Sequence, residues 1–131
     1  MIDDSTRCPC GTGLVYGECC ARWHRGEAAP TAEALMRSRY SAFALGLPDY
    51  LLETWHRTTR PPHIELDPVV QWRRLDVVRV DAGGPFDTDG VVEFEACYRG
   101  IAASGDIERG VQHEVSRFVR ESGRWYYVSE A

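Results

Sequence analysis

Four of the chain's five cysteines lie between positions 8 and 20, and this spacing constrains the fold more than any other feature of the sequence. They are Cys8, Cys10, Cys19 and Cys20, while Cys97 stands alone. A disulfide between the adjacent Cys19 and Cys20 would be strained, and chains in a reducing compartment do not normally keep disulfides. The cluster therefore predicts a metal site.

The start of the chain indicates the expected compartment. It reads M-I-D-D-S-T-R-C, with acids where a secretory signal needs basic residues followed by an apolar stretch. No apolar run in the 131 residues approaches the roughly 18 that a membrane span requires. We therefore expect a cytoplasmic protein, in which thiols stay reduced and available to a metal.

Zinc suits this cluster best, because four thiolates close a tetrahedral Zn²⁺ site without further ligands. Gly11 and Gly13 lie in the loop between the cysteines and let backbone N–H groups turn toward the sulfur atoms. A closed site leaves no open coordination position, so we expect one structural zinc rather than a catalytic one. His24 is a reserve ligand if Cys20 is not used.

An amphipathic helix is predicted over residues 32–45. Thr31 is a suitable N-cap before it, and Gly46 is a typical residue to end it. Apolar side chains recur at near-helical spacing and would form its buried face: Leu35, Met36, Tyr40, Phe43 and Leu47. Arg37 and Arg39 fall off this face, where an ion pair with Asp49 or Glu53 and an anion site are both open interpretations.

Two shorter helical segments are predicted next. Pro48 suits the first position of a second helix that would run to about His56. Asp67 would cap a short helical turn that reaches Trp72. Beyond that turn, the helical spacing of apolar residues ends.

The rest of the chain changes to a period of two, which is typical of strands. Strands are predicted over residues 74–81, 91–98, 111–119 and 124–128, and glycine-rich turns separate the first three. In the first strand, Leu75, Val77 and Arg79 would share one face. Helices followed by an antiparallel meander predict an α+β fold, with the helices packed on one face of a curved antiparallel sheet.

The string C-P-C-G-T-G-L-V-Y-G-E-C-C, over residues 8–20, resembles the SEC-C motif, a zinc-binding module named after the C-terminus of the SecA translocase. This resemblance implies that Cys8, Cys10, Cys19 and Cys20 are the zinc ligands. The module usually has Ser and Lys in its glycine loop, where this chain has Thr12 and Leu14.

Three further strings resemble the YchJ family of small bacterial proteins: P-T-A-E-A-L-M-R-S-R-Y-S-A-F, D-Y-L-L-E-T-W-H and S-R-F-V-R-E-S-G-R-W-Y-Y-V. In that family, a SEC-C motif is joined to a cone-shaped domain similar to nuclear transport factor two. The resemblance implies a zinc knuckle over residues 1–25 and a cone domain over residues 26–131. The family has no assigned biochemical role.

Cone folds often hold a pocket between sheet and helices, and aromatic and polar residues are the candidates to line one here. These are Tyr40, Trp55, His56, Trp72, His113, Arg117 and Trp125. His56 is either a cation at a helix C-terminus or a general base at a pocket mouth. His113 and Arg117 share a strand face, which either is solvated or forms a polar cluster with Glu95 inside the cone.

Two functions follow from these patterns. The first is a small zinc-binding adaptor that engages a protein partner through its knuckle. The alternative is a small-molecule-binding protein or an enzyme that uses the cone pocket, with His56 or His113 as acid and base. The net charge of −5 and the pI near 5.3 argue against broad binding to nucleic acid. The sequence leaves a monomer and a homodimer open.

Overall fold

The structure is a computed structural model that describes residues 2–131. A single 3-10 turn, η1 (Tyr16–Glu18), precedes three helices: α1 (Cys20–His24), α2 (Ala32–Leu45) and α3 (Pro48–Glu53). Four strands complete the chain: β1 (Gln71–Ala82), β2 (Asp89–Ile101), β3 (Ile107–Glu121) and β4 (Arg124–Glu130). This order confirms the predicted α+β fold.

Helix α2 has the predicted bounds, because both of its ends are fixed locally. The side-chain oxygen of Thr31 accepts a hydrogen bond from the backbone N–H of Ala34, at 3.0 Å. At the other end, Gly46 adopts a left-handed conformation with φ of 73° and donates its N–H to the carbonyl of Ala42.

Helix α3 ends at Glu53, before the predicted end near His56. The chain leaves the helix to pair with β4, as the N–H of Tyr127 donates to the carbonyl of Thr54 and the N–H of His56 donates to the carbonyl of Tyr127. Both bonds are 2.8 Å long and form an isolated parallel bridge. A contact between distant parts of the chain therefore ends this helix.

The predicted helical turn between Asp67 and Trp72 is wrong in its second half. Asp67 does cap a turn, since its side chain accepts a hydrogen bond from the N–H of Val69 at 3.0 Å. However, β1 begins at Gln71, and Trp72 pairs with Tyr98 of β2. The helical turn cannot reach Trp72, because pairing with β2 requires an extended backbone there.

The sheet is an antiparallel meander in which the spatial order of the strands follows their order in the chain. Strand β1 contains a bulge between Val77 and Arg79, after which Arg79 pairs with Glu93. Because a bulge adds a residue, Arg79 leaves the face of Leu75 and Val77. The predicted alternation of β1 is therefore wrong beyond Val77.

One face of the sheet, called here the inner face, packs against α2. Buried residues of α2 and of the sheet form a continuous hydrophobic core: Leu35, Met36, Tyr40, Leu75, Val92, Ala96 and Phe118. The four clustered cysteines belong to the same core. Glu95, His113 and Arg117 are exposed on the outer face of the sheet.

The start of α2 sits on the hairpin between β1 and β2. The N–H of Ala32 donates to the carbonyl of Gly83 at 2.9 Å. A methyl group built on Gly90 would lie 2.6 Å from the Cα of Gly83 and 3.0 Å from the Cβ of Ala32. The two glycines therefore let the strands and the helix approach more closely than any side chain would permit.

Among residues 2–131, no helix combines the length and the apolar character that crossing a membrane requires. The division into residues 1–25 and 26–131 stays a prediction, although the cysteine segment and α2 share one core.

Candidate metal centre and adjoining cavity

The four predicted metal ligands converge in the folded chain. The sulfur atoms of Cys8, Cys10, Cys19 and Cys20 lie within 4.8 Å of one another, and all four residues are buried. The sulfurs of Cys10 and Cys19 are 3.5 Å apart. Zinc–sulfur bonds of about 2.3 Å in a tetrahedron place sulfur atoms about 3.8 Å apart, so the donor set and its spacing fit one Zn²⁺.

A tight local fold produces this convergence. Arg7 and Val15 form an isolated antiparallel bridge, and the N–H of Cys8 donates to the carbonyl of Leu14 at 2.9 Å. Between them, Gly11 and Gly13 have φ values of 84° and 89°, which other residues rarely adopt. The turn η1 and helix α1 then return the chain, which brings the second cysteine pair to the first.

Hydroxyl groups surround the sulfur atoms. Ser41 of α2 donates a hydrogen bond to the sulfur of Cys20 at 3.3 Å, and its oxygen lies 3.6 Å from the sulfur of Cys8. The oxygen of Thr12 is 3.2 Å from the sulfur of Cys19. Hydrogen bonds of this kind orient metal ligands and stabilise their charge. Helix α2 therefore contributes to the candidate metal centre.

The thiols influence each other's protonation. Hydrogen bonds from Cys10 and Cys20 lower the pKa of Cys8, whereas hydrogen bonding to Cys10 and Cys8, together with burial, raises the pKa of Cys20. One thiolate is thus stabilised by its neighbours, which keep their protons. A bound dication would replace those protons and offset half of the negative charge of the four thiolates.

His24 does not act as the reserve ligand, because both of its ring nitrogens bind other groups. Its Nε2 lies 2.8 Å from the carbonyl oxygen of Ser38, which can only accept, so Nε2 carries the proton. Its Nδ1 therefore accepts from the hydroxyl of Tyr16 at 2.7 Å. Burial lowers the pKa of His24, which favours this neutral form.

A cavity of about 230 Å³ lies between α2 and the inner face of the sheet. Most of its wall is apolar or aromatic: Met36, Tyr40, Phe43, Trp55, Trp72, Phe94, Ala96, Phe118 and Tyr127. Among the described residues, four polar or charged side chains other than tyrosine line it: Arg39, Gln112, Glu114 and Ser116. A mostly apolar cavity with a few convergent polar groups is typical of sites for small molecules.

The structure brings together three of the seven predicted pocket residues. Tyr40, Trp55 and Trp72 line the cavity. His56 and Arg117 line a separate cleft at the other end of β3, and Trp125 lines a third. His113 lies on the outer face, where its Nε2 is 2.6 Å from the carboxylate of Glu93.

The period of β3 explains why two of these residues do not face the cavity. Gln112, Glu114, Ser116 and Phe118 line it, so the alternate residues of the strand point to the other face. His113 and Arg117 are among those alternate residues, and both are exposed. The possible polar cluster of His113, Arg117 and Glu95 inside the cone does not form, because all three residues are exposed on the outer face.

His56 is buried in its cleft, and its side chain lies against the end of β3. Its Nδ1 is 2.7 Å from the hydroxyl of Thr58 and accepts from the N–H of that residue at 3.3 Å. Its Nε2 lies 3.0 Å from the carboxylate of Glu121, away from the direction of a good hydrogen bond. Arg57 also pairs with Glu121, at 2.8 Å.

Sequence reasoning missed Arg39 and Glu114 as cavity residues. The sequence predicts Arg39 off the apolar face of α2, yet it follows Met36 by three positions and precedes Phe43 by four, so the helical period puts all three on one side. Glu114 alternates with Ser116 along β3 in the same way. The spacing alone indicates both positions, whereas the charge of each side chain favours a place at the surface.

The chain combines the two parts that its geometry indicates, a SEC-C motif and an NTF2-like domain. A profile of the SEC-C motif matches residues 5–22, and a profile described as "YchJ, middle NTF2-like domain" matches residues 31–130. The match covers most of the chain. The protein belongs to the YchJ family, whose curated relatives carry the name UPF0225.

Relatives of known sequence and structure agree with this assignment. A UPF0225 protein of Corynebacterium glutamicum is 54% identical over 122 residues, which cover 92% of this chain and 93% of the relative. One from Chromobacterium violaceum is 56% identical, covering 93% of this chain and 90% of the relative. The solution structure of a SEC-C motif containing protein from Rhodopseudomonas palustris matches with a TM-score of 0.79 at 33% identity, covering 95% of this chain and 96% of the other.

A crystal structure of a SEC-C motif containing protein from Psychrobacter arcticus is similar as well. Its TM-score is 0.77 at 28% identity, and the match covers 98% of this chain and 84% of the other. The fold therefore recurs in two solved structures, and both contain the SEC-C motif.

Proposed function

We propose that this protein binds a small molecule in the cavity between α2 and the sheet, and that one structural Zn²⁺ holds the N-terminal segment against the same helix. The observation that carries the proposal is the cavity itself, about 230 Å³ in volume and walled mostly by apolar and aromatic side chains. Helix α2 is shared by the two sites, since Ser41 contacts the cysteines and Tyr40 lines the cavity.

Benzyl alcohol tests the cavity, because it is neutral, aromatic and small. We expect its titration to shift amide NMR signals of residues that line the cavity. The variant Ala96→Phe should abolish these shifts, since Ala96 is a buried part of the wall. Gln112→Trp is a second blocking variant at an exposed wall position, and Ala103→Phe in an exposed turn is the matched control.

Shifts that persist in both blocking variants would contradict the proposal. Native mass spectrometry of the untagged protein, purified from its own cells, would add a direct reading. We expect one zinc per chain and a reproducible small-molecule mass that the Ala96→Phe variant lacks. The same spectrum would distinguish a monomer from a homodimer.

A second function is a zinc-binding adaptor for a protein partner, and the exposure of Leu14 favours it. Leu14 stands in the loop between the cysteines with 47% of its surface exposed. An apolar side chain on a rigid loop can anchor a partner. We expect Leu14→Ser to remove a protein that co-purifies with the wild type, while Val69→Ser, at a site 46% exposed and distant in sequence, should retain it.

Acid–base catalysis by His56 or His113 is not part of either proposal. His113 lies on the outer face, and His56 lines a different cleft. The cytoplasmic location that keeps the cysteines reduced stays a prediction.

A further inference from the structure

Arg39 brings a positive charge into an otherwise largely apolar wall. The residue is only 6% exposed, and burial lowers the pKa of its guanidinium to about 10, so it is still charged at neutral pH. Its Cζ lies 4.7 Å from the ring centre of Tyr127 and 5.3 Å from that of Trp55. These aromatic faces stabilise a cation, but they do not neutralise it.

Among the described residues, only one guanidinium nitrogen of Arg39 donates hydrogen bonds to other protein groups. Nη1 donates to the carbonyl of Leu51 at 2.8 Å and to the hydroxyl of Thr54 at 2.6 Å. Within residues 2–131, Nε and Nη2 have no protein acceptor, and the guanidinium forms no ion pair. Three N–H groups of a buried cation are thus left without a protein partner.

These N–H groups face the cavity. Among the described residues, the only side-chain nitrogen or oxygen that is both sealed from solvent and without a partner is Nε2 of His56. The unpaired nitrogens of Arg39 must therefore remain accessible, and Arg39 lines the cavity. A guanidinium edge with two adjacent donors matches the two oxygens of a carboxylate.

Glu114 lines the cavity from the sheet, whereas Arg39 lines it from α2. Ser116 donates a hydrogen bond to the carboxylate of Glu114. Although their charges are opposite, Glu114 and Arg39 do not form an ion pair with each other in the described structure. The cavity therefore offers donors on one wall and an acceptor on the other, with aromatic rings between them.

We propose that the ligand is a small aromatic carboxylate that also carries a hydroxyl or amino donor: Arg39 binds its carboxylate and Glu114 accepts from its donor. This inference rests on the proposed function of the cavity and adds the chemical class of the ligand. The aromatic body would pack against Trp72, Phe43 and Phe94.

Four probes of similar size test the ligand class by NMR or calorimetric titration of the full chain. They are 4-hydroxyphenylacetate, phenylacetate, phenylacetamide and tyramine. We expect 4-hydroxyphenylacetate to bind most tightly, and phenylacetate to bind at least about tenfold more tightly than phenylacetamide, because a charged hydrogen bond is lost in the amide. Tyramine, which replaces the carboxylate by a cation, should bind most weakly.

A pair of variants tests the charges without disturbing Arg39, whose loss would also remove the bonds to Leu51 and Thr54. Glu114→Gln removes a negative charge from the cavity wall, so we expect phenylacetate to bind several-fold more tightly. Glu95→Gln makes the same chemical change on the exposed outer face and should leave the affinity unchanged.

The outcomes separate this inference from the proposed function. If phenylacetamide binds as well as phenylacetate, or if tyramine binds best, the cavity is a binding site but its ligand class is different from the one proposed. If neither these probes nor benzyl alcohol binds, the proposed function of the cavity fails, and the ligand class fails with it.

Discussion

Individual side chains link the candidate metal centre to helix α2. Ser41 reaches two cysteine sulfurs, and Arg37 donates to the carbonyl of Cys10 at 2.8 Å. Arg37 also pairs with Glu33 one helical turn away, at 2.9 Å. The cysteine segment is therefore attached to α2 by hydrogen bonds as well as by apolar packing.

Replacing a single cysteine should remove the metal. We expect Cys10→Ser to lose its zinc and to lower the free energy of unfolding by roughly 3 kcal/mol or more, because three thiolates no longer close the tetrahedron. Cys97→Ser is the matched control, since Cys97 lies outside the cluster. Metal analysis and urea unfolding of both variants give the result, and a full zinc content in Cys10→Ser would contradict the assignment.

Glu121 makes the free energy of unfolding depend on pH in the acidic range. The imidazole of His56, whose Nε2 is 3.0 Å away, and a hydrogen bond from Arg57 lower the pKa of Glu121 below its usual 4.5. A carboxyl group whose pKa is lower in the folded state stabilises the fold above its unfolded pKa, and this contribution is lost as the pH falls through the folded pKa. We expect Glu121→Gln to lose stability less steeply than the wild type below about pH 4.5.

Urea unfolding at several pH values between neutral and strongly acidic measures this difference. Glu108→Gln, at an exposed position, should retain the wild-type dependence. Parallel curves for Glu121→Gln and the wild type would show that the pairing with His56 and Arg57 does not contribute.

At the residue level, the sequence predicted the convergence of the four cysteines better than the lining of the cavity. The four cysteines are neighbours in the chain, so their spacing alone indicated a common site. Arg39 and Glu114 come from different elements, and their positions depend on how α2 lies over β3. A single sequence does not record that packing, and a charged residue is normally expected at the surface.

At the level of elements, local signals predicted α2 and distant contacts decided the rest. Thr31 and Gly46 end α2 through bonds within a few residues. The end of α3 depends on Tyr127, and the face of Arg79 depends on a bulge against β2. Neither partner lies close in sequence, which is why the pattern of residues placed these two features incorrectly.

The contact between α2 and the hairpin at Gly83 and Gly90 makes a further prediction. Gly90→Ala should lower the free energy of unfolding by about 1–3 kcal/mol, because its methyl group would overlap the backbone of Gly83. Gly100→Ala lies on the same strand, where the methyl group would meet Val70 at an ordinary 3.9 Å. It should change stability by less than about 1 kcal/mol.

Thermal unfolding of these two variants, each compared with the wild type, tests the packing. Equal effects of the two substitutions would mean that the backbone of the hairpin shifts to accommodate a methyl group at Gly90. The close packing of Gly90 against Gly83 would then not be required for stability.

At the scale of the whole molecule, the candidate metal centre and the cavity share one hydrophobic core. We expect a chelator to lower the midpoint of thermal unfolding of the entire chain, because the cysteines pack with Leu35, Met36 and Tyr40. The Cys10→Ser variant should not respond to the chelator. Tryptophan fluorescence follows the chain as a whole, because Trp23 lies in α1, Trp55 follows α3, and Trp72 and Trp125 lie in β1 and β4.

Hydrogen exchange of the chelated protein locates the change. Exchange that increases only over residues 2–25 would show that the knuckle folds separately, in agreement with the predicted division into residues 1–25 and 26–131. Faster exchange in α2 as well would show that zinc stabilises the cavity wall.

Strand β4 has contacts that determine the order in which a newly made chain can complete its fold. Strands β1 to β3 pair in chain order, so each can join the sheet as it leaves the ribosome. Arg124 donates to the carbonyl of Gly26, and Trp125 donates to that of Pro30. These bonds, like the bridge to Thr54 and His56, form only after β4 has been made, and Tyr127 of the same strand lines the cavity, so a chain that ends before β4 has an open cavity.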